Sequence, residues 1–551
     1  MANSIDTVAT SAGPGPAGVP RPPTGLPQPP AGLPRPRAAR RGRRLPWLLT
    51  GLSVAVAALL LVPLCFLLIQ ANQAGWSSIA GLMFRHLTWV LLRNTVELTV
   101  IVTLCCAVLG TGAAYCVERV ALPGRRLWAV LLVLPVALPD FVVGYAWSSW
   151  VPFAHGLTGA VTVMSLSLYP LVYLPVAAAL RAGDAALEEQ ARSLGRGPLR
   201  AFAQVTLRQI RPALLGGCLL VALALLAEYG AFEILRFQTF TTEIFTEYLE
   251  SFDGPAACAL SLILVVLSLA VLLAEYAAGG GGRVARQVAV RAPRRARPGV
   301  LGGLAISLAL TALSSAALLL PVGTLAYWCV VGGSTTLPPA SLLGAAGQTA
   351  LYAVSAAALT TALALPVGLL SVRHRSRFTV LLERSTYLVQ GLPGLAIALG
   401  LVFFGIRYAF SLYQSPQLLV IGYAVMFFPL ALVAVRASVA SAPVGLEEIG
   451  RSLGRPRWSV ALRVTLPLVA PGLAAGFCLV FLSVVTELTA TLILIPTGAH
   501  TLATRFWEYE SDLSYGAAAP YAALMVAIAA VPSYVLGRWF DRVRARQEQS
   551  A

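Results

Sequence analysis

The sequence predicts an all-α polytopic membrane protein of about 12 transmembrane helices, built as two parallel six-helix repeats. Three observations lead there. Of 551 residues, 58% are hydrophobic and only 11% charged, more apolar surface than a soluble chain can hide. The apolar residues fall into runs of about 20, the length that crosses a roughly 30 Å hydrocarbon core. A polar stretch, LEEQARSLGRGPLRAFAQVTLR (187–208), returns 259 residues later as LEEIGRSLGRPRWSVALRVTLP (446–467).

Residues 1–44 are Pro/Gly-rich and end in an arginine cluster, the composition of a disordered tail. The first apolar run begins near Leu45, too late for an ordinary cleaved signal peptide. The first repeat is expected over 45–278, with spans near 46–70, 94–117, 128–150, 158–180, 213–232 and 256–277. A Gly/Arg-rich linker (279–299) leads to the second repeat, 300–540. Its spans are expected near 300–329, 347–371, 385–406, 417–435, 472–495 and 516–537, before a short tail, 541–551. The eight cysteines lie in or beside apolar runs, without the Cys/His spacing of a metal site, and read as small packing residues.

Arginine orients the chain. All 40 basic residues are Arg, and only Arg85, Arg93, Arg236, Arg407 and Arg505 fall outside segments that are cytoplasmic if the N-terminus is inside. That bias predicts two cytoplasmic termini and an even number of spans. The +17 net charge is therefore assigned to membrane topology, and nucleic acid is not expected as a partner. Acids collect on the opposite face: Glu233, Glu243, Glu247, Glu250 and Asp253 in one half, Glu508, Glu510 and Asp512 in the other.

The repeated loops align without a gap, 187–214 and 446–473 matching at 13 of 28 positions. Arg119 and Arg373, like Pro139 and Pro393, correspond at an offset of 254. Halves with six spans each share one orientation, related by an axis along the membrane normal, and a path between them is the natural arrangement. Each loop opens on a carboxylate pair, Glu188–Glu189 or Glu447–Glu448. A short helix then runs to Gly195 or Gly454, where glycine permits a turn, and a second amphipathic segment comes after it. A helix that merely lies on lipid needs neither this spacing nor a second copy.

The loops resemble the EAA motif of membrane subunits of ABC-type importers, E-A-A-x3-G-x9-I-x-L-P. The second supplies Glu448, Gly450 for Ala, Gly454, Val464 for Ile, Leu466 and Pro467. The first supplies Glu189, Ala191, Gly195, Val205 and Leu207, but ends in Arg208 where the family has Pro. The resemblance implies a type I importer-like fold in a bacterial cell membrane. It makes these residues, with Glu188, Arg196, Glu447 and Arg455, contacts for two copies of a cytosolic ATPase. An extracytoplasmic solute-binding protein would complete the system. A phosphate-binding loop of the Walker type needs a lysine, and the chain has none, so ATP and Mg belong to the partner and no cofactor is expected here.

Four acids stand in apolar surroundings: Glu97, Asp140, Glu228 and Glu487. A carboxylate at mid-membrane costs roughly 2.5–3.5 kcal/mol on insertion scales, so such residues face a path or a partner. Glu228 and Glu487 each come 33 residues after their loop glycine; a helix-packing carboxylate is the competing reading. Pro139 and Pro393 are expected to kink the third span of each half. The stretches 227–245 and 486–522 resemble the ferric-iron branch, with thiamine, polyamine, aminoethylphosphonate and sulfate as alternatives. Two other classes compete: an ion-gradient-driven secondary transporter, and a scaffold or lipid-modifying enzyme, for which the four scattered histidines offer no catalytic cluster.

Overall fold

The computed structural model describes residues 47–530 except 74, 152–153, 184–185, 280–297, 333–338 and 375, together with 532. The expected N-terminal tail, nearly all of the linker and the C-terminal tail lie outside the described residues. In a bilayer core every backbone N–H and C=O must be satisfied within the protein, which leaves helix as the form for an isolated span. Among the described residues, eight helices are long and apolar enough to cross: Trp47–Gln73, His86–Arg119, Gly156–Ala182, Phe202–Ala227, Gly254–Ala278, Val300–Val331, Ala340–Arg373 and Trp458–Val485. Three bent pairs raise the number to 11, and the shorter apolar helix Tyr515–Ala530 stands where the twelfth was expected. Hydroxyls inside spans bond back along their own helix, as Thr99 to Thr95 O and Thr360 to Ala356 O, each at 2.6 Å.

The third span of each half differs from the expected kinked helix. Arg125–Ala137 and Asp140–Trp150 meet at 95°, and Arg377–Gly391 and Gly394–Tyr408 at 105°. Pro139 and Pro393 are extended at the breaks, with ψ of 138° and 146°. A proline lacks the N–H that would continue the helix and disfavours helical geometry in the residue before it. Together these account for a corner rather than a bend. The fifth and eleventh spans also stop short of their expected ends. Their helices close at Ala227 and Val485, so Glu228 and Glu487 sit in breaks that lead into short helices, Gly230–Ile234 and Thr489–Leu494.

The segment beyond each break is repeated as well. Helices Phe240–Leu249 and Leu502–Ser511 both begin with a reciprocal threonine cap, Thr239 with Thr242 and Thr501 with Thr504. Both are pinned to the second span of their own half: Thr95 accepts from Phe240 N and Thr349 from Leu502 N.

The first spans are exchanged. Trp47–Gln73 packs on second-half helices, with Phe66 edge-on to Phe404 and Tyr408. Reciprocally, Leu310 and Ala317 of Val300–Val331 are buried in the core built by first-half spans, and Tyr327 meets Trp150. Lipid removes most of the hydrophobic drive between helices, so such contacts rest on close packing.

Candidate translocation cavity and paired surface loops

The two loops fold as expected. Helix Ala186–Ser193 leads to Gly195 at φ 82° and then to Pro198–Ala201; helix Val444–Ser452 leads to Gly454 at φ 77° and then to Arg457–Val460. Only glycine takes that left-handed conformation without steric cost. The next turn is a π-helix in both halves, Phe202–Thr206 and Ala461–Thr465. Glu189, Arg196, Glu448 and Arg455 are exposed, as are Leu194 and Leu453 at the tips. Ala191 is buried, while a Cβ on its counterpart Gly450 would stand 3.2 Å from Val460 Cγ2. The smaller Ala201 occupies the position of Val460 in the first loop, so one methyl is exchanged for a larger neighbour.

The first glutamate of each pair turns inward. Glu188 accepts from Tyr115 Oη at 2.8 Å, Arg192 Nη2 at 2.7 Å and Thr206 Oγ1 at 2.6 Å. Glu447 instead pairs with Arg373 at 3.0 Å and Arg451 at 3.7 Å. Tyr115 and Arg373 belong to the ends of the second spans, so both loops are fastened to that element.

A cavity of about 380 Å³ lies where the broken third and fifth spans of the two halves meet. Asp140, Glu228 and Glu487 line it with Ser167, Ser483, Thr486 and Thr489, and no basic side chain is among the described residues around it. Each glutamate caps the short helix after its break: Glu228 Oε1 accepts from Ala231 N at 2.8 Å, Glu487 Oε1 from Ala490 N at 2.9 Å. Capping carboxylates at a helix start are favoured by the helix dipole. Asp140 opens its own helix and accepts from Ser167 Oγ. The second half has no copy of this pair. Gly394 and Met426 occupy the equivalent positions, and a Cβ on Gly394 would stand 2.7 Å from the Met426 sulfur.

Three of the four acids singled out in the sequence thus share one cavity. Glu97 does not join them: its side chain is 42% exposed, 4.0 Å from Arg93 on the same helix. The sequence reading missed Ser167, Met426, Tyr115 and Thr206. The loop offset, extended into the fourth span, pairs Ser167 with Met426 and would have drawn attention to both.

A family model described as "Binding-protein-dependent transport system inner membrane component" matches the chain twice, over residues 107–277 and 361–547. Among curated proteins, the Fe(3+)-transport system permease protein FbpB 2 of Haemophilus influenzae is 36% identical over 510 residues, 90% of this chain and 99% of that protein. The putative 2-aminoethylphosphonate transport system permease protein PhnU of Salmonella choleraesuis is 29% identical over 260 residues, 41% of this chain and 89% of that protein. The sulfate transport system permease protein CysT of Escherichia coli is 26% identical over 238 residues, 39% of this chain and 86% of that protein. With two matched segments and a relative 36% identical over 90% of this chain, the chain belongs to the inner-membrane components of binding-protein-dependent transport systems, the permeases of ABC importers, two copies being fused in one polypeptide.

Proposed function

We propose that this permease carries ferric iron inward, driven by ATP hydrolysis on two cytosolic ATPase subunits. One subunit docks on each loop, and an extracytoplasmic binding protein delivers the substrate to the acidic face. Both termini are cytoplasmic. ATP and Mg are held by the partners. The observation that carries the substrate is the likeness, over 90% of this chain, to an Fe(3+) permease. The cavity chemistry agrees with it. Three carboxylates and four hydroxyls are hard oxygen donors of the kind a hard cation prefers. The same carboxylates repel sulfate or a phosphonate.

In this mechanism, closure of the ATPase pair draws both loops together and rocks the halves between states open to opposite sides. Glu228 and Glu487, held at helix breaks, present charge to the passing ion while keeping their caps. The test is uptake in cells lacking the gene and complemented with it, using ferric citrate, 2-aminoethylphosphonate, sulfate, thiamine and putrescine in parallel. Restored ferric uptake alone supports the reading. Restoration of another solute in its place replaces the cargo, and uptake that persists after ATP depletion with the ion gradient intact replaces the ABC mechanism by a secondary one.

A further inference from the structure

The two loops are fastened by unlike chemistry. In the second half the clasp is an ion pair: Arg373 Nη2 reaches Glu447 at 3.0 Å and donates to Ala442 O at 2.9 Å. Its first-half counterpart, Arg119, keeps only the second of these contacts, donating Nη2 to Gly183 O at 3.5 Å. Arg119 is 6% exposed, and its Nε and Nη1 are buried without a hydrogen-bond partner among the described residues. The adjacent Glu118 is already taken by Arg125 and by Arg181, the latter at 3.2 Å. The carboxylate that would complete the symmetry, Glu188, is instead held by Tyr115, one helical turn from Arg119. The second half has Leu369 at the position of Tyr115, which has no donor to offer.

A buried guanidinium with unmade hydrogen bonds is held at a cost, and Glu188 would remove that cost by moving from Tyr115 and Thr206 to Arg119, one helical turn, roughly 5 Å, along the end of the span. We propose that Tyr115 and Arg119 are alternative partners of Glu188, so that the first loop has two seats on the second span where the second loop has one. Tyr115 holds the loop in the arrangement of this structure, and Arg119 can hold it in Tyr115's place, so that coupling needs one of the two seats and not both. These three are positioning residues for coupling, and drive from the first ATPase enters the membrane through helix His86–Arg119. The inference rests on the reading of the loops as ATPase contacts.

The experiment uses the full chain in cells lacking the gene, with ferric citrate uptake measured beside membrane content of the permease and co-purification of the ATPase. If each donor can take over from the other, Tyr115→Leu and Arg119→Leu each retain about half or more of the uptake, while the double variant falls about tenfold or more, a coupled pair rather than additive sites. ATPase still co-purifies with the double variant. Tyr115→Leu with Arg119→Lys regains most of the loss, because an ammonium can still pair with Glu188. Effects that simply multiply, or a tenfold loss from Tyr115→Leu alone, overturn the two-seat latch. Should the double leucine variant fail to reach the membrane, Tyr115→Phe with Arg119→Met, which keep much of the volume and offer Glu188 no donor, carries the same comparison. Absence of any ATPase on the wild-type chain is a separate result that removes the underlying reading.

Discussion

In the proposed mechanism Glu228 and Glu487 each hold two jobs that one substitution can separate. As caps they need an oxygen acceptor; as path residues they need charge. Glutamine keeps the acceptor and removes the charge. Glu228→Gln with Glu487→Gln should therefore leave thermal stability within about 1 kcal/mol while lowering ferric uptake about tenfold or more. A leucine at either position should instead cost about 0.5–2 kcal/mol by loss of the cap. Unchanged uptake in the double glutamine variant would leave both residues as structural caps. Glu510, at the opposite face from the loops, gives a pH signature. Burial, and then the neighbouring Glu233 carboxylate, push it up to about 7 from 4.5, against the opposing pull of Arg236. A group that holds its proton more tightly when folded stabilises the fold at low pH. That stability is fully present below about pH 4.5 and is lost as pH rises through about 7. Glu510→Gln should raise the melting midpoint at pH 8, a gain on the order of 1–3 kcal/mol, and leave it unchanged at pH 4.5. A shift of equal size at both values would contradict this assignment.

At the scale of elements, the sequence was most readable where a local rule decides. The glycine of each loop must turn, the carboxylates precede it at fixed spacing, and the structure folds both as a helix, a left-handed glycine and a helix. The corner at Pro139 and the break at Glu228 were less readable, because a run of apolar residues records membrane depth and not direction. Proline announces a missing donor but not whether the helix bends or restarts at 95°. Glu97 shows a related limit: hydropathy places a carboxylate in a span without saying which side of the helix carries it, and Glu97 is not among the residues that line the cavity. The Asp140–Ser167 pair and its Gly394–Met426 counterpart were visible only by comparing the halves position by position. The comparison matters because it shows that the cavity draws its polar groups unequally, two carboxylates from the first half and one from the second.

At the scale of the whole molecule, exchange of the first spans makes each half part of the other's core, a long-range relation that no local pattern encodes. Covalent fusion is then not what holds the halves together. Two polypeptides divided within 280–297 and produced together should assemble and restore uptake to within about threefold of the intact chain. Removing residues 47–73 from one piece should destabilise the second-half core against which that span packs, read as loss of the second piece from a pull-down on the first. Failure of the intact pieces to associate would show that fusion, not exchange, maintains the assembly. The same architecture brings two loops to one face, and on that pairing the proposed coupling to the ATPase rests. The most direct test is the initial rate of ferric uptake in the deletion strain complemented by wild type or by Gly195→Val with Gly454→Val, at matched membrane content. The account predicts uptake with wild type and loss of about tenfold or more with the double variant, since a β-branched residue resists the left-handed turn each loop requires. Equal uptake by the two would contradict the assignment of the loops as the coupling element.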